Sequence, residues 1–163
     1  METDFYFTME TNSPIYSIVV PVYNSADSLP ELHARIDKTF QKINGTLELI
    51  FVDDASQDNS WEIMESLRAQ DPRVKIIRLT KNYGQHNALV CGFSFTEGDF
   101  VLTMDDDLQN PPEEIPKLIQ AMEDPNVDVV FGVPTQRAHS FLRNTGSYLY
   151  SHFLAKAMGT SAL

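Results

Sequence analysis

The sequence predicts an α/β fold in which a mainly parallel β-sheet is flanked by helices. Short runs rich in β-branched and aromatic residues recur at regular intervals along the 163 residues. These runs are almost continuously apolar, which is typical of strands covered by helices on both faces. Amphipathic segments with apolar residues at steps of three and four lie between them. This alternation predicts one domain with right-handed crossover connections.

The predicted strands are the apolar runs at residues 15–20, 47–52, 74–79, 100–104 and 127–131. The predicted helices are the amphipathic segments near residues 29–43, 61–67, 88–95, 112–122 and 140–158. Ser28 and Glu31 match a capping box at the start of the first helix. We expect residues 1–14 to form an N-terminal tail and residues 15–163 to form the domain.

Composition excludes several classes of protein. The net charge is −11, from 12 basic and 23 acidic residues, which argues against nucleic-acid binding because that relies on Lys and Arg. A single cysteine cannot form an internal disulfide, which favours a reducing, cytoplasmic compartment. No apolar stretch approaches the roughly 20 residues needed to span a bilayer. We therefore expect the chain itself to be soluble.

Polar residues follow four of the predicted strands, at the edge where parallel sheets bind their ligands. They are the segments PVYN at 21–24, DDAS at 53–56, KNYGQ at 81–85 and DDDLQ at 105–109. Candidate functional residues are therefore expected in these four segments.

The sharpest signal is the run of three acids, because adjacent carboxylates repel one another unless a cation or hydrogen-bond donors offset the repulsion. Side chains two apart on an extended segment face the same way, so Asp105 and Asp107 can converge on one ion while Asp106 points elsewhere. Gln109 can add a neutral oxygen. Such an oxygen-only set suits Mg²⁺ or Mn²⁺. The alternative interpretation is a solvated acidic turn before a helix.

The acids after the second strand also allow two interpretations. Asp53 or Asp54 can accept a hydrogen bond from a nucleobase or a ribose hydroxyl. Alternatively, Asp54 or Ser56 simply caps the next turn. Tyr23 can stack on a base or pack against the protein. Lys81 can meet a phosphate or remain exposed to solvent.

Five motifs resemble, in order and spacing, those of the family 2 glycosyltransferases, which have the Rossmann-like GT-A fold. The motifs are SIVVPVYN at 17–24, VDDAS at 52–56, NYGQH at 82–86, GD at 98–99 and MDDDLQNPPE at 104–113. The tract from NYGQHNAL to NPPEEIP is most similar to the polyprenyl-phosphate branch. That branch includes the dolichyl-phosphate mannose synthases and the bacterial undecaprenyl-phosphate aminoarabinose-type transferases.

The resemblance implies an inverting, metal-dependent transfer of a sugar from a nucleotide-diphosphate donor, with a UDP-sugar favoured over a GDP-sugar. It implies Mg²⁺ or Mn²⁺ held by Asp105, Asp107 and Gln109. The residues expected to contact the donor are Pro21, Tyr23, Asn24, Asp53, Asp54, Lys81, Gly84, Asp106 and Ser147. Those expected to act in catalysis are Asp105, Asp107 and Arg143, with Arg143 and Ser147 on one face of the last predicted helix, near a donor or acceptor phosphate.

The expected acceptor is a polyprenyl phosphate, because its oxygen is already anionic and needs no general base. Residues 129–163 contain no acid to serve as one. In this family the catalytic domain continues beyond the point where this chain stops, and in this branch it continues into membrane helices. We therefore expect a C-terminally incomplete domain, associated with the cytoplasmic face of the membrane through segments outside this chain.

Three alternatives remain at this point. One is a family 2 enzyme that glycosylates a sugar hydroxyl in polysaccharide synthesis. Another is a fragment that binds a nucleotide-sugar without turnover. The third is a phospho-acceptor signalling domain, but that class places its acidic pair after the first strand, where this chain has PVYN.

Overall fold

The computed structural model describes residues 13–133. The chain divides into two compact units, Met1–Val129 and Val130–Leu163, and every strand and helix described below belongs to the first. In order along the chain, the elements are β1 (Ile15–Val22), α1 (Leu29–Phe40), β2 (Thr46–Asp53), α2 (Ser60–Gln70), β3 (Val74–Arg78), α3 (Gln85–Phe93), β4 (Phe100–Thr103), a 3₁₀-helix (Pro112–Glu114) and α4 (Ile115–Met122).

The strands form one parallel sheet in the order β3-β2-β1-β4. The ladder between β1 and β2 runs from the pair Ile15 and Thr46 to the pair Val22 and Asp53, so these two strands end together. The chain adds β2 and β3 on one side of β1 and then places β4 on its other side. This reversal opens a crevice at the carboxyl ends of β1 and β4, where sheets of this type bind ligands.

Both faces of the two central strands, β1 and β2, are buried, which agrees with the predicted α/β architecture. On one face, alternate residues of β1 such as Ile18 and Val20 pack against apolar side chains of α1, α2 and α4. On the other face, Val19 packs with Ile50, Val52 and the α3 residue Ala88. The near-continuous hydrophobicity of β1 and β2 follows from this double coverage.

Helix α3 lies unusually close to the sheet at Gly92. A Cβ atom built on Gly92 would lie 2.3 Å from Cγ1 of Val19 and 3.1 Å from Cγ2 of Val52. Val19 and Val52 are completely buried, so neither can move aside without disturbing the core. Glycine at this position therefore sets the distance between α3 and the two central strands.

An ion-pair network joins α1 to the start of β3. The Arg73 guanidinium contacts the carboxylates of Asp37 and Asp71, and Nε2 of His33 lies 3.0 Å from Oδ2 of Asp71. The hydrogen bonds from Arg73 hold the pKa of Asp71 well below its usual value of 3.8. The network fixes the turn between α2 and β3 and thus the register at which β3 joins the sheet.

Two local predictions are wrong. Residues 127–131 form no strand; the N–H of Val127 closes a turn to the Asp124 carbonyl, and Val129 remains 65% exposed. Apolar composition produces a strand only where a neighbouring strand supplies hydrogen-bond partners. The capping box is also absent, because the Ser28 hydroxyl donates to the Ser25 carbonyl rather than accepting an N–H of α1. Residues 1–12 of the predicted tail (1–14) and the predicted helix at 140–158 lie outside the described residues.

We expect Gly92→Ala to destabilise the protein, although alanine favours a helix. The clash with Val19 should cost about 1–3 kcal/mol, against a helix-propensity gain of about 1 kcal/mol. Urea unfolding should show a lower midpoint than for the wild type. Val90→Ala, a change at an exposed position of the same helix, should shift the unfolding free energy by less than about 0.5 kcal/mol. An unchanged midpoint for Gly92→Ala would mean that α3 does not pack this closely.

We expect Asp71→Asn to destabilise the protein by about 1–3 kcal/mol at pH 7, because Arg73 loses a charged partner. Since the folded-state pKa of Asp71 lies below 3.8, its stabilisation is complete above that pH and is lost as the pH falls below it. The difference in unfolding free energy between wild type and variant should therefore shrink between pH 4 and pH 2.5, as measured by urea unfolding. Glu65→Gln, at an exposed position on α2, should show no such trend.

Candidate active site

A cavity of about 330 Å³ lies at the carboxyl ends of the four strands. It is lined by Pro21, Val22, Tyr23, Asp54, Asn82, Gly84, Gln85, Asp105, Asp106 and Asp107. Because the strands are parallel, the loop that follows each of them reaches the same edge of the sheet. The cavity therefore occupies the crevice beside β1 that the strand order creates.

Most of the residues predicted to bind a ligand meet in this cavity. The predicted residues that line it are Pro21, Tyr23, Asp54, Gly84, Asp105, Asp106 and Asp107. Those that do not line it are Asn24, Asp53, Lys81 and Gln109. Arg143 and Ser147 lie outside the described residues.

The two acids after β2 have different surroundings. Asp53 is completely buried, and its Oδ1 accepts the N–H of Ser56 at 2.9 Å. Its Oδ2 lies 3.2 Å from Nε of Arg78 in an ion pair that lacks the alignment of a hydrogen bond. Asp54 lines the cavity and accepts the N–H groups of Tyr83 at 2.7 Å and Gly84 at 2.8 Å. Asp53 therefore shapes the turn after β2, whereas Asp54 joins that turn to the loop after β3.

Asn24 connects the loop after β1 to the loop after β2. Its N–H donates to Oγ of Ser56 at 2.9 Å, and its Oδ1 accepts the N–H of Gln57 at 2.7 Å. The side chain of Asn24 therefore binds the loop after β2, and Asn24 does not line the cavity.

The backbone is strained at three positions around the cavity. Asn24, Ala55 and Leu108 have φ values of 54°, 61° and 60°, in the left-handed region that non-glycine residues rarely adopt. Each costs on the order of 1 kcal/mol or more, least for asparagine. They follow β1, β2 and β4, so three of the four loops turn sharply just beyond the sheet.

The three acids after β4 have three different sets of partners. Asp105 accepts the side-chain amide of Gln85 at 2.6 Å, and Asp107 accepts the N–H of Gln109 at 3.0 Å. Asp106 accepts the N–H of Tyr23 and the hydroxyl of Ser25. Strand β4 ends at Thr103, so the alternation of an extended segment does not extend to these residues. Asp106 nevertheless has partners that its two neighbours do not share.

A second contact fastens the far end of this acidic loop. Arg35 of α1 donates from Nε and Nη2 to the two carboxylate oxygens of Glu113, at 2.9 and 2.6 Å. The hydrogen bonds from Arg35 lower the pKa of Glu113 to about 2. The loop from Asp105 to Glu113 is thus held against the β1–α1 segment at both ends.

The donor set at the cavity suits a hard divalent cation with few protein ligands. Asp105 and Asp107 both line the cavity and offer carboxylate oxygens, which Mg²⁺ and Mn²⁺ prefer. Among residues 13–133, no three His, Cys, Asp or Glu side chains converge as a metal-ligand group. A pair of carboxylates is still compatible with Mg²⁺, which usually keeps several water or phosphate ligands.

Two aromatic side chains flank the cavity. Tyr23, a residue that is 44% exposed, forms part of its wall. Tyr83 lies just outside, with the Lys81 ammonium 5.0 Å from its ring centroid in a cation–π contact. Tyr23 is therefore the aromatic side chain that forms part of the cavity wall, while Lys81 contacts Tyr83 outside it.

Four residues contribute here in roles that were not predicted for them individually. Asn82 and Gln85 line the cavity, and Ser25 and Ser56 hold its loops together. Asn82, Gln85 and Ser56 lie in the polar segments where functional residues were expected, whereas Ser25 lies just after one. The bonds of the two hydroxyls to distant loops leave no such pattern.

We expect Asp54→Asn to loosen the loop after β3. An asparagine has one acceptor oxygen in place of two and would turn an N–H₂ group toward a backbone N–H. The loss should be about 1–3 kcal/mol in the free energy of unfolding, measured with urea. Asp128→Asn, which changes an exposed acid away from the cavity, is the matched control and should have little effect. Equal stability of the two variants would contradict the structural role of Asp54.

Sequence comparisons connect the chain to known transferases. Residues 17–160 match the family described as glycosyl transferase family 2. The chain is 44% identical over 146 residues to an undecaprenyl-phosphate 4-deoxy-4-formamido-L-arabinose transferase of Proteus mirabilis, covering 89% of this chain and 44% of that protein. The transferase of the same name from Yersinia pestis is 43% identical over 157 residues, covering 94% and 47%. The chain thus spans less than half the length of these relatives.

Solved structures share the fold. A mannosyltransferase from Pyrobaculum calidifontis, in complex with GDP-Man and Mn²⁺, superposes with a TM-score of 0.59 at 24% identity, over 72% of this chain and 34% of that one. S. aureus TarS 1-349 in complex with UDP-GlcNAc gives a TM-score of 0.53 at 27% identity, over 74% and 37%.

These likenesses agree with the GT-A fold and with the polyprenyl-phosphate resemblance in the motifs. The family match covers most of the chain, including β2 to β4, all but the first two residues of β1, and the whole cavity wall. The chain belongs to glycosyl transferase family 2.

Proposed function

We propose that the protein transfers a sugar from a nucleoside diphosphate donor to a polyprenyl phosphate. The observation that carries this proposal is the cavity beside β1, where Tyr23, Asp54, Asp105 and Asp107 meet from three different loops. The names of the Proteus and Yersinia relatives, at 43–44% identity, support a polyprenyl-phosphate acceptor.

The nucleotide end of the donor is assigned to Tyr23 and Asp54. The exposed ring of Tyr23 offers a surface on which a base can stack. Each oxygen of Asp54 already accepts one backbone N–H and retains a lone pair for an imide N–H of a base. We favour uridine, and the TarS complex with UDP-GlcNAc, at 27% identity, supports this preference.

The diphosphate end is assigned to the acidic loop. Asp105 and Asp107 would repel a diphosphate, so these residues favour a donor that arrives with a divalent cation. A bound Mg²⁺ or Mn²⁺ would neutralise charge on the leaving diphosphate. The Gln85 amide orients Asp105, and the Gln109 N–H orients Asp107.

The proposed reaction is a single in-line displacement with inversion. An anionic acceptor oxygen forms the new bond to the anomeric carbon, while the bond from that carbon to the diphosphate oxygen breaks. No proton has to be removed from the acceptor, so no general base is needed. We propose that Arg143 and Ser147 contact a phosphate of the donor or of the acceptor.

We also propose that the protein associates with the cytoplasmic face of the membrane through segments outside this chain. Within residues 13–133, none of the helices has the length and hydropathy required to cross a bilayer.

We expect Asp105→Asn and Asp107→Asn to weaken metal-dependent binding of UDP by at least about ten-fold, since each removes a charged oxygen ligand. Titration calorimetry of the 163-residue chain with UDP, in Mg²⁺, Mn²⁺ or EDTA, measures this. Asp128→Asn removes one exposed acid outside the cavity and should bind UDP like the wild type. A wild-type affinity that is the same in EDTA would contradict the metal assignment.

The acceptor is tested by transfer from a labelled UDP-sugar to a polyprenyl phosphate in detergent, alongside an oligosaccharide acceptor. Label in the lipid fraction supports the proposal. Label in the oligosaccharide alone would favour an enzyme of polysaccharide synthesis. UDP binding without either product would favour a nucleotide-sugar-binding fragment.

A further inference from the structure

We propose that Asp106 is a positioning residue that latches the loop after β1 onto the acidic loop after β4 and thereby presents Tyr23 to the nucleotide. This inference rests on the proposed function for its ligand, but its structural part can be tested without one. It assigns to Asp106 a role different from those of Asp105 and Asp107, although the three acids are adjacent.

The latch consists of two hydrogen bonds to one oxygen. Oδ2 of Asp106 accepts the backbone N–H of Tyr23 at 3.1 Å and the hydroxyl of Ser25. The donors and the acceptor are more than 80 residues apart in the sequence, so the bonds join two separate loops. Hydrogen bonds to an ionised acceptor are about twice as strong as neutral ones.

The surroundings of Asp106 differ from those of Asp105 and Asp107. One of its carboxylate oxygens, Oδ2, is shared by two donors from the loop after β1. Asp105 is instead oriented by Gln85 from the loop after β3. The Tyr23 and Ser25 donors also offset part of the electrostatic repulsion between the Asp106 carboxylate and the carboxylates of Asp105 and Asp107.

The latch acts on Tyr23 through its backbone. The next residue, Asn24, has a φ of 54°, so the chain turns away immediately after Tyr23. The N–H of Ser25 donates to Oγ of Ser60 at 2.8 Å, which holds the outer side of this turn on α2. Without Asp106, the contacts described for this turn are those to Ser56 after β2 and to Ser60 of α2. The backbone of Tyr23 then has no hydrogen bond to the acidic loop among the described contacts.

The test uses three variants of the 163-residue chain. Asp106→Ala removes the acceptor, Asp106→Asn keeps an acceptor oxygen without the charge, and Ser25→Ala removes one donor. Ser94→Ala is the control, because it deletes a hydroxyl that bonds only within its own helical turn. Two measurements are made: amide hydrogen exchange of Tyr23 by NMR without ligand, and the UDP affinity together with the Mg²⁺ concentration that gives half of maximal binding.

If Asp106 is the latch, Asp106→Ala should accelerate exchange at Tyr23 and weaken UDP binding, each by about ten-fold, with the half-saturating Mg²⁺ concentration unchanged. Ser25→Ala should act in the same direction, and the double variant should be less impaired than the sum of the single effects. Asp106→Asn should retain most of the wild-type protection of the Tyr23 amide from exchange and most of the wild-type affinity for UDP. Ser94→Ala should match the wild type.

Two results would overturn the latch. The first is an unchanged Tyr23 exchange rate in Asp106→Ala. The second is an Asp106→Asn variant as impaired as Asp106→Ala together with a raised Mg²⁺ requirement, which would make Asp106 a metal ligand. Failure of the wild type to bind UDP would contradict the proposed function instead, and the exchange measurement would still decide the latch.

Discussion

The cavity depends on hydrogen bonds from backbone N–H groups to aspartate carboxylates at the carboxyl edge of the sheet. Asp53 closes the turn after β2, Asp54 holds the loop after β3, and Asp106 holds the loop after β1. Buried or half-buried loops must satisfy their N–H groups without a strand partner, and a carboxylate can satisfy several at once. Asp54 and Asp106 therefore both line the cavity and hold its loops in place, whereas Asp53 acts only on the turn.

Acidic residues elsewhere in the molecule also serve structure. Burial would raise the pKa of Glu48, but hydrogen bonds from Lys75 and Ser17 hold it below its usual value. Asp71 and Glu113 are held by Arg73 and Arg35 in the same way. The net charge of −11 is thus distributed over carboxylates with specific partners as well as over exposed ones, and it is a poor guide to how strongly the surface attracts cations.

The strands, the helices and the location of the cavity could be predicted because each follows from a local pattern. Apolar runs identify β1 to β4, and parallel strands place their following loops at one edge. Which of Asp53 and Asp54 faces the cavity could not be predicted, since β2 is buried on both faces and its hydrophobic pattern gives no alternation. The partners of Asp106 were also hidden, because β4 ends before the acids and the donors come from distant residues.

The positive φ angles at Asn24, Ala55 and Leu108 have a consequence for how such a site can diversify. Each loop changes direction at one residue and is then bonded to its neighbour, so an insertion or deletion there would misalign more than one loop. Variation in loop length is therefore costly at this edge. A new substrate preference is reached more easily by exchanging side chains on a fixed backbone, as at Tyr23 or Asn82, than by remodelling the loops.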